Sequence, residues 1–423
     1  MQKTINKTRP FSRWMTLFSL IFAGEMIFSL PFHVARFFRP TLLESFSLSN
    51  TQLGDTFALY GVIAMICYFP GGVLADYFSA RKLLTFSLLS TAVGGLFFAQ
   101  IPQGLSLSLL FGYWGLTTIL FFWAGMIKAT REWGGHLQQG RAFGLLDGGR
   151  GLVAALMSSI AVFIFSHFMS PDNSDGITSI IYFYTFLTFF AGVFLWLFIP
   201  ENKLEKAQLH HPWLGMKQAM GSSLVWLQAL IVICAYSGFK GADNYGVYAV
   251  DVLKMDQLDA ATFTSYAAYL RPVGAIAAGF LADRISASKV IAASFFALVI
   301  LYLIIAFLPF WMEGQQLVML AIFNLSLSFL AVFALRGVYF ALVEESRIKL
   351  SITGTAVGFI SFIGYTPDVF FSSITGRILD AAPGAEGFQN YFIAMMGFAF
   401  IGLLAALFLH RSNMRINLDT ISA

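Results

Sequence analysis

Twelve long apolar stretches, separated by short polar breaks, determine what this chain can fold into. Each is long enough to cross the hydrocarbon core of a bilayer as a helix, which takes about 20 mostly apolar residues. The stretches are residues 14–38, 51–75, 83–101, 105–133, 141–168, 178–199, 222–250, 261–282, 289–310, 317–343, 352–376 and 391–410. Alternating-polarity runs, which are typical of membrane barrels, are absent from the sequence. The pattern predicts an all-α membrane protein with twelve transmembrane helices.

The composition excludes most soluble classes of protein. Apolar residues make up 58% of the 423-residue chain and charged residues only 11%, whereas soluble domains carry about 25% charged residues. The sequence also has no Gly-Lys dipeptide, hence no ATP-binding P-loop, and neither a metalloprotease motif nor a basic tail for nucleic acid. We therefore expect a protein that is not an enzyme and has no cofactor, metal site or nucleic-acid partner. Its surroundings are the lipid bilayer.

The distribution of positive charge predicts the orientation in the membrane. Seventeen of the 26 Lys and Arg residues fall in breaks on one side of the predicted spans, and three fall on the other side. Because cytoplasmic loops are enriched in Lys and Arg, both termini are expected in the cytoplasm. The longest polar connection, a cytoplasmic linker at 200–221, separates an N-terminal six-helix half (1–199) from a C-terminal six-helix half (222–423).

The two halves carry an internal repeat. GGVLADYFSARK (71–82) and AGFLADRISASK (278–289) are identical at seven of twelve positions, at a shift of 207 residues. A second match, at a shift of 214, aligns GRAFGLLDGGR (140–150) with GTAVGFISFIG (354–364). Parallel repeats of this kind occur in secondary transporters that bind their substrate between the halves. The repeat therefore predicts a transporter built from two six-helix halves in parallel repeat.

The Gly-x-x-x-Asp stretches followed by basic residues resemble the loop signature of the major facilitator superfamily. The first copy departs from the family pattern at Tyr77 and Ser79. The resemblance covers all twelve spans and implies a bacterial inner-membrane transporter, and QQGRAFGLLDGGRG and TGTAVGFISFIGYTPD are similar to permeases for sugar phosphates or for nitrate and nitrite. In the family the signature acts as a latch on the outward-open state; alternatively it only anchors the topology. The predicted gating motif is Gly72, Asp76, Arg81, Gly279, Asp283 and Arg284.

Both glycines of this motif have a physical interpretation of their own. Gly72 and Gly279 carry no side chain, and small residues let two membrane helices approach closely. We therefore expect tight helix contacts at these two positions.

Ionisable residues inside the spans are the candidate functional groups. Each costs about 2.5–3.5 kcal/mol in the middle of a membrane helix, so it must face a wet cavity or another charge. His33 and Arg36 share a helix face, as do Lys240 and Asp243, and the repeat places the first pair opposite the second. We expect an Arg36–Asp243 salt bridge that closes an outer gate, or substrate binding by His33, Arg36 and Lys240.

Glu25 lies near the middle of the first span, and no neighbour on its own helix is expected to neutralise it. Burial favours the protonated form of a carboxyl group, so Glu25 is predicted to carry a coupling proton. The alternatives are a structural partner for Arg150 or Lys128, or a direct substrate contact. Asp147 is expected to pair part of the time with Arg150 on its own helix face.

Two arginines and a broken helix complete the predicted site. Arg150 and Arg336 are candidates for anion recognition because a guanidinium stays charged and binds carboxylate or phosphate with two donors. Pro367 should break the eleventh span, leaving Asp368 to line the cavity or cap the break. The predicted proton-coupling residues are Glu25, Asp147, Asp243 and Asp368, and the predicted substrate-binding residues are His33, Arg36, Arg150, Lys240 and Arg336.

The slight excess of cations over carboxylates at membrane depth favours an anionic or zwitterionic substrate. The leading hypothesis is a monomeric, proton-coupled importer of a small organic anion that works by alternating access. A second hypothesis is an exporter of amphipathic compounds such as drugs or siderophores. The aromatic content of 17% is compatible with such substrates. A third is a transport-dead receptor or a lipid-handling protein.

Overall fold

The computed structural model of the chain describes residues 10–134, 139–168, 174–201, 220–346 and 353–421. Within these ranges the chain forms helices, and no described residue lies in a β-strand. The predicted all-α fold is therefore confirmed. The predicted linker, 200–221, lies outside the described residues except at its two ends.

Helices α1 to α9 form the first part of the chain. They are α1 (Pro10–Met26), α2 (Val34–Phe37), α3 (Arg39–Ser45), α4 (Asn50–Tyr77), α5 (Ala80–Phe98), α6 (Leu105–Gly115), α7 (Ala124–Gly134), α8 (Gln139–Phe168) and α9 (Ser174–Phe198). Two wider turns of π-helix, Ser29–His33 and Leu116–Trp123, continue α1 into α2 and α6 into α7.

Helices α10 to α19 follow the linker. They are α10 (Ser223–Gly241), α11 (Tyr245–Asp251), α12 (Gln257–Ala267), α13 (Leu270–Ile285), α14 (Ala287–Trp311), α15 (Gly314–Val338), α16 (Leu342–Glu345), α17 (Thr353–Gly364), α18 (Pro367–Ala381) and α19 (Ala385–Ile421). Short 3₁₀ turns, Ala242–Asn244 and Tyr339–Ala341, connect α10 to α11 and α15 to α16.

Most of the predicted spans are helices of membrane length. Among the described residues, eight helical segments are long and apolar enough to cross a bilayer, and the bent pair Arg13–Met26 and Ser29–Phe37 makes a ninth if it counts as one span. The remaining predicted spans correspond to α4, to α5 and to the consecutive helices α12 and α13. Every apolar stretch of the sequence thus has a helical counterpart.

The chain forms two compact units. The first unit comprises Met1–Val34 and Val62–Ala207, and the second comprises Ala35–Gly61 and Gln208–Ala423. Each has its own apolar core, which includes Leu88 and Phe122 in the first unit and Tyr302 in the second. The segment Ala35–Gly61 belongs to the N-terminal half by sequence and packs with the second unit. The predicted boundaries at residues 199 and 222 stay a prediction.

Prolines interrupt two of the spans. Pro31 lies in the wide turn Ser29–His33, where the Val34 N–H bonds the Ser29 carbonyl five residues earlier, and the first span bends there by 41°. The break predicted at Pro367 is confirmed, since α17 ends at Gly364 and α18 begins at Pro367. Proline suits the first position of a helix because the N–H that it lacks has no partner there.

Helices α4 and α18 pack backbone against backbone along a seam of glycines. A Cβ atom at Gly54 or Gly61 of α4 would overlap carbonyl oxygens of α18, and one at Gly376 of α18 would overlap the Asn50 carbonyl. Asp380 closes one end of the seam, because its carboxylate accepts hydrogen bonds from the Asn50 N–H (3.1 Å) and the Thr51 N–H (2.7 Å). Only glycine permits contact this close.

The close helix approach predicted at Gly72 and Gly279 is wrong. A Cβ at either position would meet no described atom within 4 Å. The tight contacts lie nearby, at Gly71 against the Leu120 carbonyl oxygen (2.9 Å) and at Gly274 against the Leu330 carbonyl oxygen (2.8 Å). Helix rotation decides which of several glycines faces a neighbour, and the motif alone does not specify that rotation.

Candidate functional site

The first unit holds a buried ionic cluster around Glu25. The Glu25 side chain is 4% exposed and accepts a hydrogen bond from Arg150 Nε to Oε2 at 3.1 Å. Its other oxygen, Oε1, lies 3.1 Å from His33 Nε2. A buried carboxylate thus bridges a guanidinium group and an imidazole ring.

Local sequence explains how three distant positions reach one carboxylate. In a straight helix His33 would lie about 12 Å along the axis from Glu25, at 1.5 Å per residue. The bend and wide turn around Pro31 bring it back within hydrogen-bond distance. Gly24 gives Arg150 room, since a Cβ there would stand 3.3 Å from Arg150 Cδ. The edge of the Tyr184 ring packs on His33, with 5.8 Å between ring centroids.

The second unit holds a larger cluster centred on Asp243. Arg36 Nε donates to Asp243 Oδ1 at 2.5 Å, and Lys240 Nζ lies 3.8 Å from Asp243 Oδ2. Lys240 also lies 3.5 Å from Asp368 Oδ1, so one buried ammonium joins two carboxylates. The hydroxyl of Tyr236 donates to both oxygens of Asp368, at 3.0 and 3.1 Å.

Aromatic rings hold the guanidinium groups of this cluster. The Arg36 guanidinium lies 4.3 Å from the centre of the Phe239 ring, and that of Arg336 lies 3.8 Å from the same centre. Lys240 Nζ lies 4.9 Å from the centre of the Phe57 ring. Such cation–π contacts orient charged groups without neutralising them.

The structure brings together part of the predicted set. Arg36 and Asp243 form the expected ion pair, and Glu25 has Arg150 as a direct partner. The sequence did not predict that Glu25 has a hydrogen-bond partner in its own span, and the bend supplies one, His33. His33 contacts Glu25, and Lys240 contacts Asp243 and Asp368. The expected juxtaposition of His33 with Lys240 stays a prediction.

Two further residues named in the sequence analysis have other surroundings. Asp147 is exposed on α8, three residues before Arg150, which binds Glu25. Lys128 donates from Nζ to the Ala75 carbonyl oxygen at 2.6 Å.

The gating motif is only partly visible. The Arg81 guanidinium stacks 4.1 Å from the Trp196 ring centre, Asp283 and Arg284 are exposed, and the side chain of Asp76 lies outside the described residues. Next to Arg81, Lys82 Nζ lies 2.9 Å from Glu201, and this hydrogen bond lowers the pKa of the Glu201 carboxyl.

Sequence reasoning missed one buried cation. Arg39 is one of the three Lys and Arg residues that the sequence assigns to the outer side, yet it is 2% exposed and begins α3. Burial lowers the pKa of its guanidinium, although an arginine in a protein remains protonated. The only available signal was its position between Phe37-Phe38 and Pro40, which continues the apolar stretch and places a proline in the first turn of a helix.

No described residues form a group of three or more His, Cys, Asp or Glu side chains able to hold a metal ion. The two clusters consist of carboxylate, guanidinium, ammonium and imidazole groups.

Comparison with known proteins places this geometry in a family. The family model of the Major Facilitator Superfamily matches residues 17–367. The inner membrane protein YqcE of Escherichia coli strain K12 is 28% identical over 404 residues, which cover 93% of each chain. A probable nitrate/nitrite antiporter of Thermus thermophilus is 25% identical over 288 residues, 64% of this chain and 60% of its own.

Solved structures share the fold. A bacterial homologue of the human lysosomal transporter Spinster, inward-facing and occupied, matches with a TM-score of 0.77 at 13% identity, over 96% of this chain and 98% of that one. A mutant form of the nucleoside transporter NupG matches with a TM-score of 0.74 at 13% identity, over 94% of this chain and 99% of that one. At this level of identity the likeness concerns the fold.

Proposed function

The chain belongs to the Major Facilitator Superfamily, and on that premise we propose that it is a proton-coupled importer of a small organic anion or zwitterion. It works by alternating access of its two six-helix halves. The observation that carries this proposal is the buried Glu25, held between Arg150 and His33. The relatives and fold neighbours that are transporters support the general class.

Coupling follows from competition for one guanidinium. A substrate anion that binds Arg150 displaces Glu25 from it. The displaced carboxylate, still buried, then takes up a proton more readily, because it has lost the positive charge that favoured its ionised form. Substrate and proton therefore bind together, and His33, within 3.1 Å, offers the proton a relay.

Cations of the second unit are a further proposed anion-binding group. Arg36, Lys240 and Arg336 present positive charge, while Asp243 and Asp368 bind it in the absence of substrate. An anion that displaces Asp243 from Arg36 loosens a contact between the first and seventh predicted spans. The substrate can thereby open the gate that the ion pair closes.

The remaining features of the proposal concern the molecule in its membrane. It acts as a monomer in the inner membrane, with both termini in the cytoplasm. Its relative YqcE is named an inner membrane protein, which supports this location. Residues 1–199 and 222–423 are the moving halves and 200–221 the cytoplasmic linker. The motif residues Gly72, Asp76, Arg81, Gly279, Asp283 and Arg284 stabilise one end state.

The experiment begins with a thermal-shift screen of the purified protein against small organic anions and nitrate at two pH values, because specific binding stabilises the folded state. The anion that stabilises most is then followed into proteoliposomes. Wild-type protein should accumulate it when an inward proton gradient is imposed. Glu25→Gln should lose this uphill accumulation and retain counterflow exchange.

A matched variant controls for the loss of a carboxylate as such. Glu313 is exposed just before α15 and far in sequence from both clusters, so Glu313→Gln should transport like the wild type. Full uphill accumulation by Glu25→Gln would exclude Glu25 from coupling. Loss of hydrophobic toxins from loaded vesicles, without anion uptake, would support the exporter hypothesis instead.

A further inference from the structure

Arg39 carries a buried charge that no described residue neutralises directly. It is 2% exposed, its Nε is buried without a hydrogen-bond partner, and no ion pair joins its guanidinium to a described carboxylate. A guanidinium does not lose its proton in a protein. A buried charge without a partner is strongly unfavourable, so this position calls for a counter-ion.

The nearest carboxylates are already engaged. Asp243 and Asp380 both act on Arg39 electrostatically, yet neither bonds it. Asp243 is paired with Arg36 and approached by Lys240. Asp380 accepts hydrogen bonds from the first two residues of α4. Both carboxylates therefore already have other partners.

The surroundings of Arg39 offer further polar groups in a tightly packed setting. Tyr391, which lies close to Arg39, and Tyr248 both pack on Phe388 and are fully buried. The Tyr391 hydroxyl is already engaged, because it donates to the Gly241 carbonyl at 2.6 Å. The Tyr248 hydroxyl has no hydrogen-bond partner, so a second donor in this region is unused. Because these side chains are buried, only an anion small enough to fit between packed side chains could reach Arg39.

We propose that Arg39 is the anchor of a site for a small monovalent inorganic anion of chloride size, in the second unit behind the Arg36–Asp243 pair. The anion lies against a segment of the first half of the sequence, α3, and against the region of α11 and α19. It fastens α3 in its packed position, so that this arrangement depends on halide concentration. The site is separate from the substrate cations of the proposed function and does not rest on it.

Chloride titration of the full-length protein in detergent tests the proposal. Sodium chloride replaces sodium gluconate at constant ionic strength, and the thermal unfolding midpoint and the chloride NMR line width are both measured. The wild type should gain several degrees in the midpoint and broaden the chloride signal. Arg39→Gln should lose both effects.

Arg377→Gln is the matched control, because Arg377 is an exposed arginine of the same unit that pairs with Asp55 at 2.8 Å. It should retain both effects. Equal midpoints and line widths of the wild type in chloride and gluconate would overturn the proposal, and this result needs no variant to fold. Retention of the chloride effect by Arg39→Gln would overturn the assignment to Arg39.

Arg336→Gln separates this site from substrate binding. It should weaken binding of the transported organic anion and leave the chloride effect intact. If the organic anion and chloride compete in the wild type, and Arg39→Gln loses the binding of both, Arg39 belongs to the substrate site. That result would overturn the proposal of a separate halide site.

Discussion

Ser79 and Ser286 occupy equivalent positions in the two copies of the repeat, yet their backbones differ. Ser79 has φ −67° and ψ 141°, and its hydroxyl caps α5 by accepting from the Lys82 N–H. Ser286 has φ 136° and ψ 150°, a region that glycine adopts readily and serine rarely does. The same residue type is therefore suited to its place in the first copy and strained in the second.

This difference predicts opposite effects of one substitution. Ser286→Gly should raise the free energy of unfolding by about 1 kcal/mol, because it relieves backbone strain. Ser79→Gly should lower it by only a few tenths of a kcal/mol, because glycine is itself a favourable N-cap residue. Denaturant unfolding in detergent measures both. Equal destabilisation by the two variants would contradict the assignment of strain to Ser286.

Tyr236 supports a second prediction at this scale. Tyr236→Phe keeps the ring but removes the hydroxyl that bonds Asp368, which frees this carboxylate to hold Lys240 more firmly. A hydrogen bond to a charged group contributes about 1.5–3 kcal/mol, so the apparent KM of counterflow should rise roughly tenfold or more. Tyr113→Phe, which removes an exposed hydroxyl bonded to the Ser90 carbonyl, should leave KM unchanged. An unchanged KM in Tyr236→Phe would argue that Lys240 does not meet substrate.

The charged pairs show what a sequence can and cannot specify about a site. Helical spacing and the repeat were enough to predict the Arg36–Asp243 contact. They were not enough for His33, since its contact with Glu25 depends on a bend whose direction is set by packing. Arg39 was missed because an arginine beside Pro40 at the end of a span is typical of a loop. Ionisable residues are visible in a sequence, but their partners depend on helix rotation.

At the scale of elements, the glycine seam between α4 and α18 controls how closely two helices pack. Hydropathy predicts both helices, and proline chemistry predicts where α18 begins. Neither identifies Gly54, Gly61 and Gly376 as the contact points, because other glycines of the described spans, such as Gly72, face open space. The wide turns Ser29–His33 and Leu116–Trp123 likewise leave no mark in the apolar pattern.

The seam predicts a large effect from the smallest side chain. Gly61→Ala should lower the thermal unfolding midpoint, because its Cβ would overlap the Asp368 carbonyl. Gly72→Ala lies in the same helix but meets no described atom within 4 Å. That control should be neutral or stabilise by about 0.5–1 kcal/mol, since alanine restricts the unfolded chain. Identical midpoints for the two variants would contradict the seam.

At the scale of the whole molecule, the two compact units do not coincide with the two halves of the sequence, because one segment of the N-terminal half belongs to the second unit. Ala35–Gly61 precedes the linker by more than a hundred residues and still packs with the second unit. It carries Arg36, Arg39 and one side of the glycine seam, so several of the contacts described above depend on it. Charge counting along the sequence predicts the orientation of the helices but does not reveal this exchange.

The orientation itself can be tested in cells. A fluorescent protein fused after Ala423 should be fluorescent, because it folds in the cytoplasm, and alkaline phosphatase inserted after Gln103 should be active, because it requires the oxidising outer compartment. The reverse pattern would invert the predicted topology and move Arg36 to the cytoplasmic side. A phosphatase fusion after Lys203 serves as the inactive control.

The wide turn at Ser29–His33 also fixes the angular phase of the first span. A turn of π-helix holds more residues than a turn of α-helix. The residues after the turn, including Arg36, therefore point in directions around the helix axis that differ from those of a continuous α-helix. Deleting a single residue from the turn would swing Arg36 by about 100°, while every ionisable group remained in the chain. Changes in the length of this five-residue stretch should therefore be tolerated far less than changes in its composition.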